Sequence, residues 1–198
     1  LKLMAHLKRP ISTTFHTVLP NPNSKLKKVV RKIVDCSDSV IVMTKTSAAL
    51  LKSDYGIASQ KIAVIAHGTH LVSSDDSFQN KSKIHLADRI ILSTFGLLSE
   101  GKSIETAIEA LPKIIERFPN VIYLVIGKTH PEVLKRDGEK YRNSLYEKVF
   151  ELGLQNNVRF INRYLSLQEL MDYLQRTKIY LFTSKNPNQA VSGTLAYA

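Results

Sequence analysis

The sequence predicts an α/β protein that contains parts of two Rossmann-like domains, each a doubly wound parallel sheet. Short apolar or β-branched runs alternate with stretches in which apolar residues recur at helical spacing. This alternation is typical of parallel strands joined by crossover helices. It is interrupted once, by the polar stretch LVSSDDSFQNKS at residues 71–82, and then starts again. A polar segment between two such blocks indicates a linker between two domains.

The first block predicts three strands and two helices. The strands are expected at residues 11–17, 40–44 and 61–66, which are rich in Ile, Val and Thr. Between the first two, KLKKVVRKIV at residues 25–34 has the apolar spacing of an amphipathic helix. The second helix is expected over residues 46–55, because Gly56 follows it and glycine commonly ends a helix.

The second block predicts strands at residues 89–95, 121–126, 158–161 and 178–183, with helices at 103–117, 138–152 and 166–176 between them. In open parallel sheets, ligands bind at the carboxyl ends of the strands. His16 and the glycine-rich segment GLLSEGKS, residues 96–103, both occupy such places.

The segment GLLSEGKS fits the phosphate-loop pattern G-x-x-x-x-G-K-[ST]. Gly96 and Gly101 would let backbone N–H groups approach phosphate oxygens, and Lys102 would add a positive charge beside a helix N-terminus. A P-loop NTPase also needs an acidic residue at the end of another strand to hold Mg²⁺. The other strand ends carry no such acid. The pattern therefore predicts phosphate binding, and an NTPase that takes its acid from outside these residues remains an alternative.

The composition favours an anionic partner. The chain has 28 Lys and Arg residues against 17 Asp and Glu residues, a formal net charge of +11. Phosphates, nucleic acid or an acidic membrane face would suit this charge. We expect no nucleic-acid partner, because aromatic and basic residues are not interleaved. The basic face of the Lys-rich helix at residues 25–34 is expected to be exposed to solvent. The alternative is that this face contacts a membrane surface.

Other features concern the cell compartment and the chain ends. A single cysteine, Cys36, excludes an internal disulfide framework and fits a reducing cytoplasm. No apolar run is long enough to span a bilayer. We expect a cytoplasmic protein, with association to the inner face of the membrane as the alternative. The chain begins with Leu and ends in a helical pattern without a stop signal, so we expect an internal piece of a longer protein.

Six stretches, in their order along the chain, resemble the GT-B glycosyltransferases of glycosyltransferase family 4. They are PISTTFHT, VIVMTKTSAALLKSDYGIASQKIAVIAHG, ILSTFGLLSEGKSIETAIEAL, VIYLVIG, VRFINRYLSLQELMDYL and IYLFTSKNPNQAVSGTLAYA. The resemblance implies that residues 1–71 end the N-terminal, acceptor-side domain and that residues 72–87 are the linker. Residues 88–198 would then form the first half of the C-terminal, donor-binding domain. Such a piece is not expected to be active alone.

The resemblance also implies a hexosyltransferase-like activity. A sugar would pass from a nucleotide-sugar donor to an acceptor, with retention of configuration and without a metal or other cofactor. The acceptor class stays open among a glycan, a lipid-linked sugar and a small molecule. In this family the glycine loop and its lysine hold the donor diphosphate, which implies that role for Gly96, Gly101 and Lys102. The family often has an Arg after the first glycine, where this chain has Leu97.

The same resemblance implies roles for residues at other strand ends. His16 falls at the position of an active-site histidine of the N-terminal domain. Lys128, Arg163 and Tyr164 fall in loops that face the nucleotide base. His67 and Gly68 fall at the crossing between the domains, so we expect a hinge there; His67 and His70 of the stretch HGTH lack a third ligand for a metal site.

The end of the chain departs from the family pattern. Two glutamates are usual there, one contacting the donor sugar and one the ribose. Pro187 and Leu195 occupy their places, and neither side chain can accept a hydrogen bond. A non-catalytic GT-B-like protein that binds a nucleotide or a sugar is therefore the second alternative to a glycosyltransferase.

Neighbouring groups can replace those glutamates. We expect the Gln189 amide, the Ser192 hydroxyl and the backbone N–H groups of Ala190 and Val191 to face the donor phosphate and sugar. Amides and hydroxyls can stabilise developing charge without a carboxylate. Gln189 therefore joins His16 as a predicted catalytic residue.

Overall fold

The computed structural model of the chain describes residues 2–70, 86, 88–186 and 191–198. The predicted linker, residues 72–87, lies outside the described residues except for Leu86. In the part that is described, no helix combines the length and the apolar character needed to cross a membrane. The chain divides into two compact units, the first holding residues 2–70 and 191–197 and the second holding residues 86, 88–186 and 198.

The helices and strands are numbered here in chain order. They are α1 (Lys2–His6), β1 (Ser12–Phe15), α2 (Ser24–Asp35), β2 (Ser39–Val42), α3 (Lys45–Ser53), β3 (Ile62–Val64), β4 (Ile90–Phe95), α4 (Ile104–Arg117), β5 (Val121–Ile126), α5 (Pro131–Asp137), α6 (Lys140–Glu151), β6 (Val158–Ile161), α7 (Leu167–Arg176), β7 (Ile179–Tyr180) and α8 (Gly193–Tyr197).

The first unit contains a parallel sheet of three strands in the order β1-β2-β3. Ser12 of β1 lies opposite Ser39 of β2, and β2 pairs in turn with β3. Asn23 precedes helix α2 and caps it, because its side chain accepts the N–H of Leu26 at 2.8 Å. Buried Val, Ala and Leu side chains of α2, β2 and α3 form the core of this unit.

The second unit contains a parallel sheet of four strands in the order β6-β5-β4-β7. Strand β5 is buried at all six positions, which explains why its sequence is a continuous apolar run. Helix α4 contributes Ile108 and Leu111 to the core, and helix α6 contributes Leu145 and Val149. The carboxyl ends of β4, β5 and β6 therefore lie side by side at one edge of the sheet.

The two parallel sheets confirm the predicted fold class, and most element bounds agree within two residues. Helix α5 is an addition to the predicted elements. His130 caps it by accepting the N–H of Glu132 at 3.2 Å, and the helix ends at Gly138, whose φ is 64°. Strand β7 is shorter than predicted, because the chain beyond it turns to bond the loop after β4, with the Thr183 hydroxyl donating to the Lys102 carbonyl.

Candidate functional site

Two glycines at the carboxyl ends of neighbouring strands bring two loops into contact. Gly96 follows β4 with a φ of 124°, and Gly127 follows β5 with a φ of 130°. Residues with a side chain rarely adopt such angles. A Cβ atom at Gly127 would also lie 2.1 Å from the carbonyl oxygen of Gly96. The absence of a side chain at Gly127 is what lets the two backbones pack together.

The two loops continue side by side beyond the sheet. The N–H of Leu98 donates to the carbonyl of Lys128 at 2.8 Å, and the N–H of His130 donates to the carbonyl of Leu98 at 2.9 Å. Leu98 is buried beneath this ladder, whereas the Lys128 side chain is exposed. The segments 96–98 and 127–130 therefore form one shared platform at the edge of the sheet.

The second half of the glycine loop is a tight turn that uses its own N–H groups. The N–H of Lys102 donates to the Ser99 carbonyl at 2.9 Å, and the N–H of Ser103 donates to the Glu100 carbonyl at 3.0 Å. The Ile104 N–H, at the start of α4, donates to the hydroxyl of Tyr141 at 2.9 Å. These N–H groups are the ones that would cradle phosphates in a P-loop, and here each has a partner within the protein.

Ser103 occupies the position that would bind Mg²⁺ in a P-loop. Its side chain is buried, with 1% of the residue exposed, and its backbone is left-handed with a φ of 51°. The Ser103 hydroxyl donates to Glu105 at 3.2 Å and shares a hydrogen bond with Thr106 at 2.9 Å. This geometry gives no support to the NTPase alternative.

Lys102 is half-buried beside the first glycine. It lines a narrow crevice at the end of β4 together with Phe95, Gly96 and Leu98. Burial lowers the pKa of the Lys102 ammonium. Among the described carboxylates, none forms a salt bridge with it. A partly desolvated cation without an acidic partner favours an anionic ligand beside it.

The segment after β7 is fastened to the glycine loop. The Thr183 hydroxyl donates to the Lys102 carbonyl at 2.7 Å, and the Lys185 N–H donates to the Gly101 carbonyl at 3.1 Å. The Lys185 ammonium also pairs with Glu105 of α4 at 2.9 Å. The carbonyl groups of Gly101 and Lys102 therefore accept hydrogen bonds from the segment that follows β7.

The residues predicted to face the base lie at the same edge of the second sheet. Lys128 follows β5, and Arg163 and Tyr164 follow β6. Tyr164 is 82% exposed, so its ring is free of core packing. Arg163 pairs with Glu169 at 2.8 Å, and this pairing, together with hydrogen bonds from Ser166, lowers the pKa of Glu169 to about 2.

The predicted donor-facing residues near the chain end are described in part. Gln189 and Ala190 lie outside the described residues. Val191 and Ser192 precede α8 in the first unit, and the Ser192 hydroxyl accepts the N–H of Leu195 at 3.3 Å. The Leu195 side chain is half-exposed on that short helix.

Two histidines of the first unit, His16 and His70, lie in different surroundings. His16 is exposed directly after β1, at the carboxyl end of that strand. His70 shares a 2.6 Å hydrogen bond with the Tyr197 hydroxyl, and their rings stack at 5.8 Å. Over the described residues, no cluster of three or more His, Cys, Asp or Glu side chains could hold a metal ion.

Comparison with known proteins identifies the family. The family model for glycosyl transferases group 1 matches residues 74–193, and the model for Glycosyltransferase Family 4 matches residues 1–72. The first match alone covers more than half of the chain. The chain therefore belongs to the glycosyl transferases of group 1.

Solved structures agree with this assignment at the level of the fold. Anabaena Alr3699/HepE, solved in complex with UDP, is similar with a TM-score of 0.69 and 21% identity, covering 91% of this chain and 48% of that one. Sucrose-phosphate synthase from Thermosynechococcus elongatus is similar with a TM-score of 0.71 and 20% identity, covering 94% and 47%. These neighbours have the GT-B fold, so the predicted GT-B class is confirmed.

A curated protein is similar to this chain as well. The protein named uncharacterized glycosyltransferase MJ1059, from Methanocaldococcus jannaschii, is 21% identical over 152 residues, which are 75% of this chain and 34% of that protein. The chain thus spans about a third of this relative and about half of the solved structures.

Two side chains that hold the loops of the site were not predicted from the sequence. These are Tyr141 and Arg142, both buried at the start of α6. One signal is available in the sequence: Arg142 stands three and seven residues before the core residues Leu145 and Val149, on the apolar face of the helix. A charged residue at such a position indicates a specific buried partner.

Proposed function

We propose that the full-length protein transfers a sugar from a nucleotide-sugar donor, and that the edge of the second sheet binds the donor diphosphate. The observation that carries this proposal is the Lys102 ammonium, half-buried beside Gly96 and without a described carboxylate partner. The N–H of Leu97, on the same loop, donates to no described residue. A cation and a free backbone donor together suit a phosphate oxygen.

The solved neighbours support the class of ligand. Anabaena Alr3699/HepE was also solved in complex with UDP-glucose. By analogy, the donor of this protein is a nucleoside diphosphate sugar. Sugar transfer breaks the bond between the sugar and the diphosphate, and negative charge then grows on the leaving diphosphate. Lys102 would stabilise that charge, and would do so most in the transition state.

The finer features of the reaction follow from the family resemblance. We infer a retaining transfer in which no metal is needed, because Lys102 supplies positive charge at the diphosphate. His16 would hydrogen-bond a sugar hydroxyl, and Gln189, Ser192 and the N–H groups before α8 would contact the donor. An acceptor hydroxyl would attack the sugar, from a glycan, a lipid-linked sugar or a small molecule.

The base would lie against the loops after β5 and β6. Tyr164 offers an exposed aromatic ring on which a base can stack, and base–aromatic stacking does not depend on one particular base. Arg163 is oriented by its pairing with Glu169 and could donate to the edge of a base. Lys128 is exposed on the shared platform, where it would contact the base or ribose.

Helix α2 supports a role at a membrane surface. Its side chains Lys25, Lys28 and Lys32 are exposed, while Val30 and Val34 face the core. We propose that this basic face contacts anionic lipid on the cytoplasmic side, where a lipid-linked acceptor would be found. Co-sedimentation of the full-length protein with phosphatidylglycerol vesicles would test this, and equal binding to phosphatidylcholine vesicles would count against it.

A ligand panel tests the donor proposal. The full-length protein is mixed with UDP, GDP, ADP, UTP and ATP, each with Mg²⁺ and with EDTA, and its thermal unfolding is recorded. We expect a diphosphate to raise the unfolding temperature equally in both conditions, since a bound ligand stabilises the folded state. Triphosphate binding that requires Mg²⁺ and ends in hydrolysis would overturn the proposal. Sugar-nucleotide turnover then separates an enzyme from a protein that only binds.

A further inference from the structure

Two adjacent residues at the start of α6 form hydrogen bonds to the start of α4 and to the loop after β5. Tyr141 and Arg142 are both buried, and both belong to the face of α6 that packs in the core of the second unit. Neither lines the Lys102 crevice. Any effect on a ligand must therefore act through the loops that these residues hold.

Tyr141 fixes the start of α4, two residues after Lys102. Its hydroxyl accepts the Ile104 N–H at 2.9 Å and donates to Glu105 at 2.7 Å. Glu105 also binds Lys185 and the Ser103 hydroxyl. Burial raises the pKa of Glu105, but the hydrogen bonds from Tyr141 and Lys185 outweigh it, and the net pKa is below its ordinary value. The carboxylate is therefore ionised, and the turn that carries Lys102 is held by a charged network.

Arg142 fixes the other loop. Its Nη2 donates to the Gly127 carbonyl at 2.7 Å. Its Nε donates to the Thr129 hydroxyl and to Glu139, each at 3.3 Å, and the Thr129 hydroxyl donates to Glu139 in turn. Arg142 thus holds both ends of the segment 127–129, whose other side bonds the glycine loop.

A contribution to folding stability does not by itself explain why an arginine is buried at position 142. Only 2% of Arg142 is exposed, its one acidic partner Glu139 is partly open to solvent, and its Nη1 is buried without an acceptor among the described residues. Burying a guanidinium with an incomplete set of partners is costly, and an apolar side chain in the stripe of Leu145 and Val149 would avoid that cost. What an apolar side chain could not do is bind the Gly127 carbonyl.

We propose that Tyr141 and Arg142 are positioning residues for the nucleotide site, with Tyr141 setting the diphosphate side through Ile104 and Arg142 setting the base side through Gly127. This inference rests on the proposed donor site. It goes beyond that site by assigning its geometry to two residues that touch no ligand. One rigid helix turn then fixes the spacing between the two loops.

The test uses the full-length protein with Tyr141→Phe and Arg142→Lys. Tyr146→Phe and Arg159→Lys are the matched controls, since Tyr146 packs on Phe160 and Arg159 is exposed. Glu139→Gln is a milder second change to the Arg142 network. Amide hydrogen exchange is measured without ligand, and affinities for UDP and for uridine are measured by calorimetry.

We expect Tyr141→Phe to speed exchange of the Ile104 amide and to weaken UDP binding about tenfold, the effect of one lost hydrogen bond, while uridine binding stays within about twofold. Arg142→Lys should speed exchange at Gly96, Leu98 and His130 and weaken UDP and uridine alike. Glu139→Gln should have the same effects on exchange and on both affinities as Arg142→Lys, but smaller ones. The two control variants should match wild type.

The possible outcomes separate the two proposals. Variants that match their controls in exchange and in UDP affinity overturn the inference, as does Tyr141→Phe weakening UDP and uridine by the same factor. If wild type binds no UDP, the exchange data alone decide the positioning role. Faster exchange confined to these loops would then support the positioning role, and only the proposed ligand would be wrong. Exchange equal to that of the controls would overturn the positioning role.

Discussion

The carbonyl oxygen of Gly96 and the α-carbon of Gly127 are so close that no side chain fits between the two loops. This contact joins the segment that carries Lys102 to the segment that carries Lys128. The candidate site is therefore a pair of loops fixed to each other, and changes at one loop should be felt at the other.

Gly127→Ala should destabilise the second unit by about 2 kcal/mol or more. A side chain at this positive φ costs about 1–3 kcal/mol, and the new Cβ would also clash with the Gly96 carbonyl. Gly153→Ala is the matched control. Its φ is 66°, but a Cβ there meets nothing within 4 Å, so it should show the strain alone. Urea unfolding of the full-length protein measures both, and equal losses would argue against the clash.

Lys102→Ala should weaken nucleoside diphosphate binding by about 1–3 kcal/mol, the scale of a lost charge-assisted hydrogen bond. Lys113→Ala is the control, because Lys113 is an exposed lysine on the same α4 helix. Calorimetry with UDP at two salt concentrations checks the difference. If the two variants bind alike, Lys102 is not the phosphate-binding cation.

Glu169→Gln should change how stability depends on pH. The pKa of Glu169 is lowered from 4.5 to about 2 in the folded protein, by Arg163 first and then by Ser166. A lowered folded-state pKa means that the carboxylate stabilises the fold above pH 4.5 and that this contribution is lost as the pH falls towards 2. Wild type should thus lose its advantage over Glu169→Gln across that window. Glu147→Gln, at an exposed position on α6, should run parallel to wild type.

Gln189→Ala should lower kcat/KM for the sugar nucleotide tenfold or more, about 1.4 kcal/mol, if its amide faces the donor. His16→Ala is assayed beside it, and Gln155→Ala, in an exposed loop after α6, is the control. An active wild type from which Gln189→Ala cannot be distinguished would show that this assignment is wrong. A wild type that binds the donor but does not turn it over would favour the non-catalytic alternative.

The class of fold, and the order of most of its strands and helices, could be predicted from the residues alone. Strand β5 could be predicted with its true bounds, because a strand buried on both faces leaves a continuous apolar run, VIYLVI. The glycine loop, too, is visible as a local pattern of Gly96, Gly101 and Lys102. In both cases the physical cause lies within a few neighbouring residues, where sequence patterns are informative.

The hydrogen bonding of the glycine loop depends instead on residues that are distant in sequence. The same eight residues could have formed an open phosphate cradle, but Tyr141, 37 positions after Ile104, takes the first N–H of α4. Gly127 packs against the carbonyl of Gly96, and Arg142 in turn donates to the carbonyl of Gly127. Hydrogen bonds between residues far apart in sequence leave no periodic pattern along the chain. The partner of the Ile104 N–H, next to the glycine loop, is therefore set by how α6 packs in the second unit.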